Sequence, residues 1–257
     1  YTDDEGESST FNYKYANCYI IKSNPSGGEA DPMYDGFCFD GTVAGNGENG
    51  LMSIGAQKLY PQNVHLKPKS ADVVWETAPR LVTQIELIMG YVRFKVAKDP
   101  NDPEKFMEGN AVIAVYDENR NVLWSWHIWI TDMPQEVSYT EGETTITLLD
   151  RNLGATAADW DVAGAAFGNA LETYGLYYQW GRKDPIFPQY ETIDGPLTMT
   201  ESHLNPDKEI NSSSNDWLKS NYDYLWGYVA ERVDVRKTMY DPCPLGYRVS
   251  DSHTFQD

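Results

Sequence analysis

The chain is predicted to be mainly β, with an N-terminal antiparallel β-sandwich followed by an α+β region rich in long loops. Three observations carry this. From Phe11 to Thr131, short runs of β-branched and aromatic residues recur between clusters of Gly, Pro and Asn. No sustained helical period interrupts them. Beyond about residue 144 the texture changes to small-residue stretches and polar loops.

The acidic, Ser-rich start TDDEGESST sets residues 1–10 apart as a flexible tether. Strands are then expected at CYII (18–21), GFCFD (36–40), ADVVWE (71–76), YVRFKV (91–96) and NAVIAVYD (110–117). The next run, VLWSWHIWIT (122–131), follows the turn-forming DENRN, so these last two strands are expected to form an antiparallel hairpin. Strand alternation sends Trp124, Trp126, Ile128 and Ile130 to one face and Leu123, Ser125, His127 and Trp129 to the other. Both faces carry apolar bulk, as in a strand buried between two layers. The tryptophans are accordingly read as core, the alternative being a strip that stacks on sugars.

TDMPQEVSYTEGET (131–144), rich in Pro, Gly and acids, reads as a loose junction, with the linker placed at 133–144. TTITLL then opens the second region as a strand, AGAAFGNALETYG suggests a short helix from about Ala163 stopped by Gly175, and the remainder mixes polar loops with aromatic phrases.

Composition narrows the function classes. The 257 residues carry 20 Lys and Arg against 39 Asp and Glu, a net charge of −19, which repels nucleic acid and anionic lipid alike. With 41% hydrophobic and 23% charged residues the chain reads as soluble and folded, and no apolar run approaches the ~20 residues that a bilayer requires. Aromatic residues make up 13%, a surplus that suits surfaces stacking on sugars or partner proteins. The chain starts at Tyr1 and is read as a processed product whose targeting segment lies outside it.

The motifs point away from catalysis. GNGENG places Gly45, Gly47 and Gly50 as in a dinucleotide loop, but LMSIGAQ follows where a helix is needed, so it reads as a plain glycine-rich loop. DENRN lacks the glycine and glutamate of a calcium loop, having Val122 and Ile128 in their places. The pairs Asp159 with Asp161 and Asn215 with Asp216 offer oxygen ligands for calcium, or are simply solvated; no metal site is assigned to them. His65, His127, His203 and His253 show no zinc spacing, His127 reads as a satisfied core histidine, and Cys243 between two prolines as structural. Three cysteines allow one disulfide with one thiol over, or a partner elsewhere. Cys18 and Cys38, on neighbouring predicted strands, are candidates to face each other. If a sugar binds, the exposed aromatics proposed to stack on it are Trp160, Trp217, Tyr222 and Tyr224, beside Asp159, Asp161, Asn215 and Asp216.

Several phrases resemble one known group when taken together and in this order. NCYII (17–21), EGNAVIAVYDENRNVLWSWHIWITD (108–132), LLDRNLGAT (148–156), GLYYQWGRKDP (175–185) and KTMYDPCPLGYRV (237–249) are similar to secreted surface proteins and lipoproteins of Bacteroidetes. These carry a fimbrillin-like β-sandwich followed by a "major paralogous" domain of the Fibrobacter type. The resemblance implies a sandwich at 11–132 and a C-type-lectin-like domain at 145–257, on an exported chain held at the cell surface or outer membrane. It implies no catalytic residues. In that domain the cysteine of the DPCP phrase usually pairs with a later cysteine; none follows Cys243, so the domain is read as incomplete at its C-terminus. The calcium-lectin signatures are absent, with only Ser-Asn-Asp-Trp at 214–217, and Tyr177, Tyr178 and Trp180 are read as signature packing of the fold.

The expectation is therefore a non-enzymatic adhesion or glycan-binding surface protein, without cofactor unless calcium is one. Its partners would be a glycan or a host or bacterial surface protein. The alternatives are a pilus or envelope subunit that assembles by strand addition and a glycan-processing enzyme.

Overall fold

In a computed structural model of the chain, the residues described are 15–24, 36–45, 52–53, 66–141, 144–158, 171–187, 191–214, 216–220, 225–227 and 237–250. The expected tether, most of the GNGENG loop and the expected helix start at Ala163 lie outside them.

The fold is mainly β. Its first eight strands are β1 (Cys18–Lys22), β2 (Gly36–Asp40), β3 (Met52–Ser53), β4 (Ser70–Glu76), β5 (Val82–Ile88), β6 (Tyr91–Val96), β7 (Gly109–Tyr116) and β8 (Val122–Thr131). They form two four-stranded sheets, ordered β1-β8-β7-β4 and β3-β2-β6-β5. Aromatic contacts join the sheets: the Phe39 ring lies 4.9 Å from Trp126 and 5.0 Å from Tyr19. Ile21, Val92, Phe94, Ala111, Ile113, Ile128 and Ile130 complete the core between them.

The hairpin predicted for β7 and β8 is present. Asp117 shapes its turn: its carboxylate accepts from the backbone N–H groups of Asn119 and Asn121, both at 2.8 Å, which leaves Arg120 at a positive φ of 65°. The sheets are not purely antiparallel, since β1 runs parallel to β8, with Cys18 opposite His127 and Ile20 opposite Trp129. Nearly a hundred residues separate these strands, so no tight turn imposes the antiparallel sense. Strand β5 was not expected. Its alternation is broken by a bulge between Thr83 and Glu86, with Gln84 at φ 51°, so its apolar residues fall out of period 2 in the sequence.

Alternation along β8 holds. Trp126, Ile128 and Ile130 enter the core, while Ser125, His127 and Trp129 lie under segments from beyond residue 150. Trp124, Trp126 and Trp129 are 3%, 0% and 0% exposed, so they are structural.

The junction expected at 133–144 is mostly strand. β9 (Glu136–Glu141) and β10 (Thr144–Leu149) form an antiparallel hairpin, with Val137 opposite Leu148 and Tyr139 opposite Ile146. Hydroxyl pairs Ser138–Thr147 and Thr140–Thr145, at 2.9 and 3.0 Å, line its other face. The polar residues that suggest a linker are those of a two-stranded ribbon with one hydroxyl-lined, exposed face.

Beyond it lie α1 (Leu171–Tyr174), the parallel pair β11 (Glu191–Asp194) and β12 (Lys208–Asn211), and α2 (Met199–His203). Helix α2 starts in a capping box of Thr198 and Glu201. Helix α1 stops at Gly175 as expected: φ is +71°, and a Cβ there would lie 2.5 Å from the Leu153 carbonyl oxygen. No helix among the described residues is long and apolar enough to cross a membrane.

Candidate functional site

Two places concentrate chemistry: the buried seam beneath the outward face of β8, and an exposed aromatic turn at its far side. In the seam, Ser125 Oγ donates to Asp184 Oδ1 at 2.6 Å, and Lys183 Nζ donates to Ser125 Oγ at 2.5 Å and to Asp184 Oδ1 at 2.6 Å. The Lys183 ammonium also reaches the Ser125 carbonyl and sits 4.6 Å from the Trp124 ring centre. A serine beside a lysine and a carboxylate resembles a nucleophile with its base. All three residues are nonetheless at most 4% exposed, which leaves no approach for a substrate. The trio is instead a satisfied polar network that locks the 182–185 turn onto β8.

The neighbouring histidine behaves likewise. His127 Nε2 pairs with Asn110 Oδ1 at 2.8 Å, and the Tyr178 hydroxyl lies 3.3 Å from Nδ1. Burial depresses His127 to about 3, and burial followed by the Lys183 charge depresses His203 to about 4, both from 6.5. Each folded value lies below the unfolded one, so protons bind the unfolded chain first. Stability from this source is complete above pH 6.5 and declines as pH falls toward 3. Denaturant melts between pH 7 and 4 are expected to show that decline, and His127→Gln, which does not titrate, to flatten it.

The exposed turn is built differently. Trp180, 53% exposed, lies in the phrase GLYYQWGRKDP and contacts the buried Trp226 with ring centres 4.9 Å apart. Its backbone is held from several sides. Trp217 Nε1 donates to the Trp180 carbonyl at 2.6 Å, and Trp226 Nε1 donates to that of Arg182 at 3.0 Å. Gln179 pairs through its amide with both the N–H and the carbonyl of Ile210, each at 2.9 Å, in the manner of an extra strand partner for β12. The buried Arg182 guanidinium donates to the Gln179 side chain and to the carbonyls of Asn205 and Lys208. Gly181, at φ +84°, lets the turn close onto Leu225. The result is an indole half open to solvent on a turn held by hydrogen bonds from several sides.

Of the ligand residues expected from sequence, Asp159, Trp160, Asp161, Asn215, Tyr222 and Tyr224 lie outside the described residues. Trp217, expected at the surface, is 8% exposed and supports the Trp180 turn. Asp216 remains next to it, its carboxylate accepting from the Leu218 N–H, and the hydroxyls of Ser212 and Ser214 hydrogen-bond each other on the adjoining exposed loop. Of the aromatic phrase read as packing, Tyr178 packs, whereas Tyr177 and Trp180 are exposed. The exposed tryptophan that sequence reasoning took for packing is thus Trp180. Its signal was the flanking glycine and arginine, which build the turn.

Cys18 and Cys38 do not face each other. Tyr19 and Phe39 point into the core from opposite sheets, so the cysteine preceding each points out of its own sheet, with the sandwich between them. None of the three cysteines is in a disulfide here. No group of three His, Cys, Asp or Glu side chains able to hold a metal ion occurs among the described residues. A shallow depression at the β5 bulge, lined by Gln84, Glu86, Arg93 and Lys95, brings together only an ion pair at 3.4 Å. No protein-family model, curated protein or solved structure matches the chain.

Proposed function

We propose that the chain is a non-enzymatic, exported surface protein that binds carbohydrate, with Trp180 as the stacking platform. The observation that carries this reading is a tryptophan half open to solvent on a turn tied down by Trp217, Gln179 and Arg182. Pyranose rings present apolar C–H faces that stack on flat indoles, and their hydroxyls seek carboxylates and hydroxyls, here Asp216, Ser212 and Ser214. A platform ordered before binding loses little entropy when the ligand docks. The strongly acidic surface, at net charge −19, suits neutral or basic glycans over sulfated ones. Together with the surface-protein resemblance, these features favour adhesion or glycan attachment at a cell surface or outer membrane.

A glycan array probed with the folded chain, in calcium and in chelator, tests the reading. Reproducible binding competed by soluble sugar is expected, and loss in chelator would add a metal ion to the site.

A second reading, assembly as a pilus or envelope subunit, draws on the β9–β10 hairpin, a two-stranded sheet with Tyr139 62% exposed. Strand addition at its edges would give concentration-dependent polymers visible by sedimentation. Monomeric sedimentation with positive glycan binding separates the two readings.

A further inference from the structure

We infer that Cys18 and Cys243 are a disulfide pair, joining strand β1 to the segment at 237–250. The backbone places them together. Asn17 donates through Nδ2 to the carbonyls of Met239 and Asp241, at 2.7 and 2.8 Å. One residue on, Cys18 forms a parallel β-bridge with Pro244. Bridged strands lie about 4.8 Å apart and successive Cα atoms 3.8 Å, so the two cysteine Cα atoms stand roughly 5–6.5 Å from each other, within the disulfide range.

The side chains have reason to converge. Cys18 is the ladder partner of His127 and shares its outward face, the one covered by Tyr178 and the later segments. On the other side, Asp241 Oδ1 accepts from the Cys243 N–H at 2.8 Å, an Asx turn that departs from extended geometry just before the bridge. Prolines on both sides fix the backbone around Cys243. The Lys237 ammonium then holds the carbonyls of Cys243 and Pro244 at 2.7 and 3.0 Å. Burial raises both thiols, and each lies within the field of Lys237; Cys243 is further raised by Asp241 and by Cys18 itself.

Such a link forms during folding, before the seam closes. The two thiols give two protons and two electrons to an oxidant of the disulfide class, R–S–S–R, which leaves as two thiols; one S–S bond forms as another breaks. The pairing departs from the later-cysteine pairing that the family resemblance implies, and it does not depend on sugar binding.

The test is to refold the chain in a glutathione–glutathione disulfide buffer, denature it with iodoacetamide present, and map non-reduced peptides by mass spectrometry. The expected result is one alkylated cysteine, Cys38, and one cross-linked peptide pair holding Cys18 and Cys243. Reductant should lower the melting temperature of the wild-type chain by about 10 °C and leave the Cys18→Ser/Cys243→Ser variant unmoved. Three alkylated thiols, glutathione adducts at Cys18 or Cys243, or a link through Cys38 would each overturn the pairing, and each is read on the wild-type chain alone.

Discussion

Replacing Lys237 with methionine is expected to lower the unfolding free energy by about 3–5 kcal/mol, a large fraction of what a domain possesses. The side chains of Lys237 and Asp241 are both 0% exposed and form an ion pair at 3.2 Å. The same ammonium donates to the carbonyls of Cys243, Pro244 and Tyr247. Methionine fills the space of the aliphatic stem and removes all of these donors at once. Asp241 keeps two, the N–H groups of Cys243 and Val249, but its charge is left buried without a counter-ion. Adding Asp241→Asn should therefore restore part of the loss. Guanidinium unfolding of the wild-type chain and these two variants measures this. A cost below about 1 kcal/mol for Lys237→Met would mean that the pair is solvated and the segment at 237–250 is not anchored on β1.

Lys183→Met is expected to cost a similar amount, about 3–5 kcal/mol, because it strands the Asp184 carboxylate beneath β8. The Lys183 and Asp184 side chains are 2% and 5% exposed. The double variant Lys183→Met/Asp184→Leu should recover most of the loss, since two apolar side chains of similar volume need no desolvated partner. A coupling of about 2 kcal/mol or more in this double-mutant cycle is the expected signature of a buried pair. Ser125→Ala removes only a hydroxyl from the network and should cost about 1 kcal/mol. Additive single losses would show that the two charges act separately.

What the sequence made legible was local and periodic. The two-faced burial of β8 follows from alternation within ten residues, and the β7–β8 hairpin from the Asp117 turn between two strand-forming runs. Strand β5 escaped because its bulge breaks the period at Thr83 and Gln84. The β9–β10 ribbon escaped because its polar face has the composition of a linker. Pairings across long separations were not legible at all. Nothing near Cys18 says that it bridges Pro244 rather than approaching Cys38. The run Arg182-Lys183-Asp184 has the composition of a solvated loop, yet each side chain is buried against a partner at least 23 residues away, at Asn205 or Ser125.

The candidate site illustrates the same limit. Trp180 and Trp217 each follow a polar residue, Gln179 and Asp216, and sequence reasoning favoured Trp217 for the surface. Which ring is buried is decided by tertiary hydrogen bonding: the Trp217 indole N–H reaches the Trp180 carbonyl, so Trp217 becomes the support and Trp180 the exposed face.

The most direct measurement is a paired glycan array of the wild-type chain and Trp180→Ala, each checked for an unchanged melting temperature. The expected result is competable binding by the wild type and a loss of roughly tenfold or more in Trp180→Ala, the effect of about 1.4 kcal/mol of stacking. A blank array from a well-folded wild type, or binding indifferent to Trp180→Ala, would contradict the account.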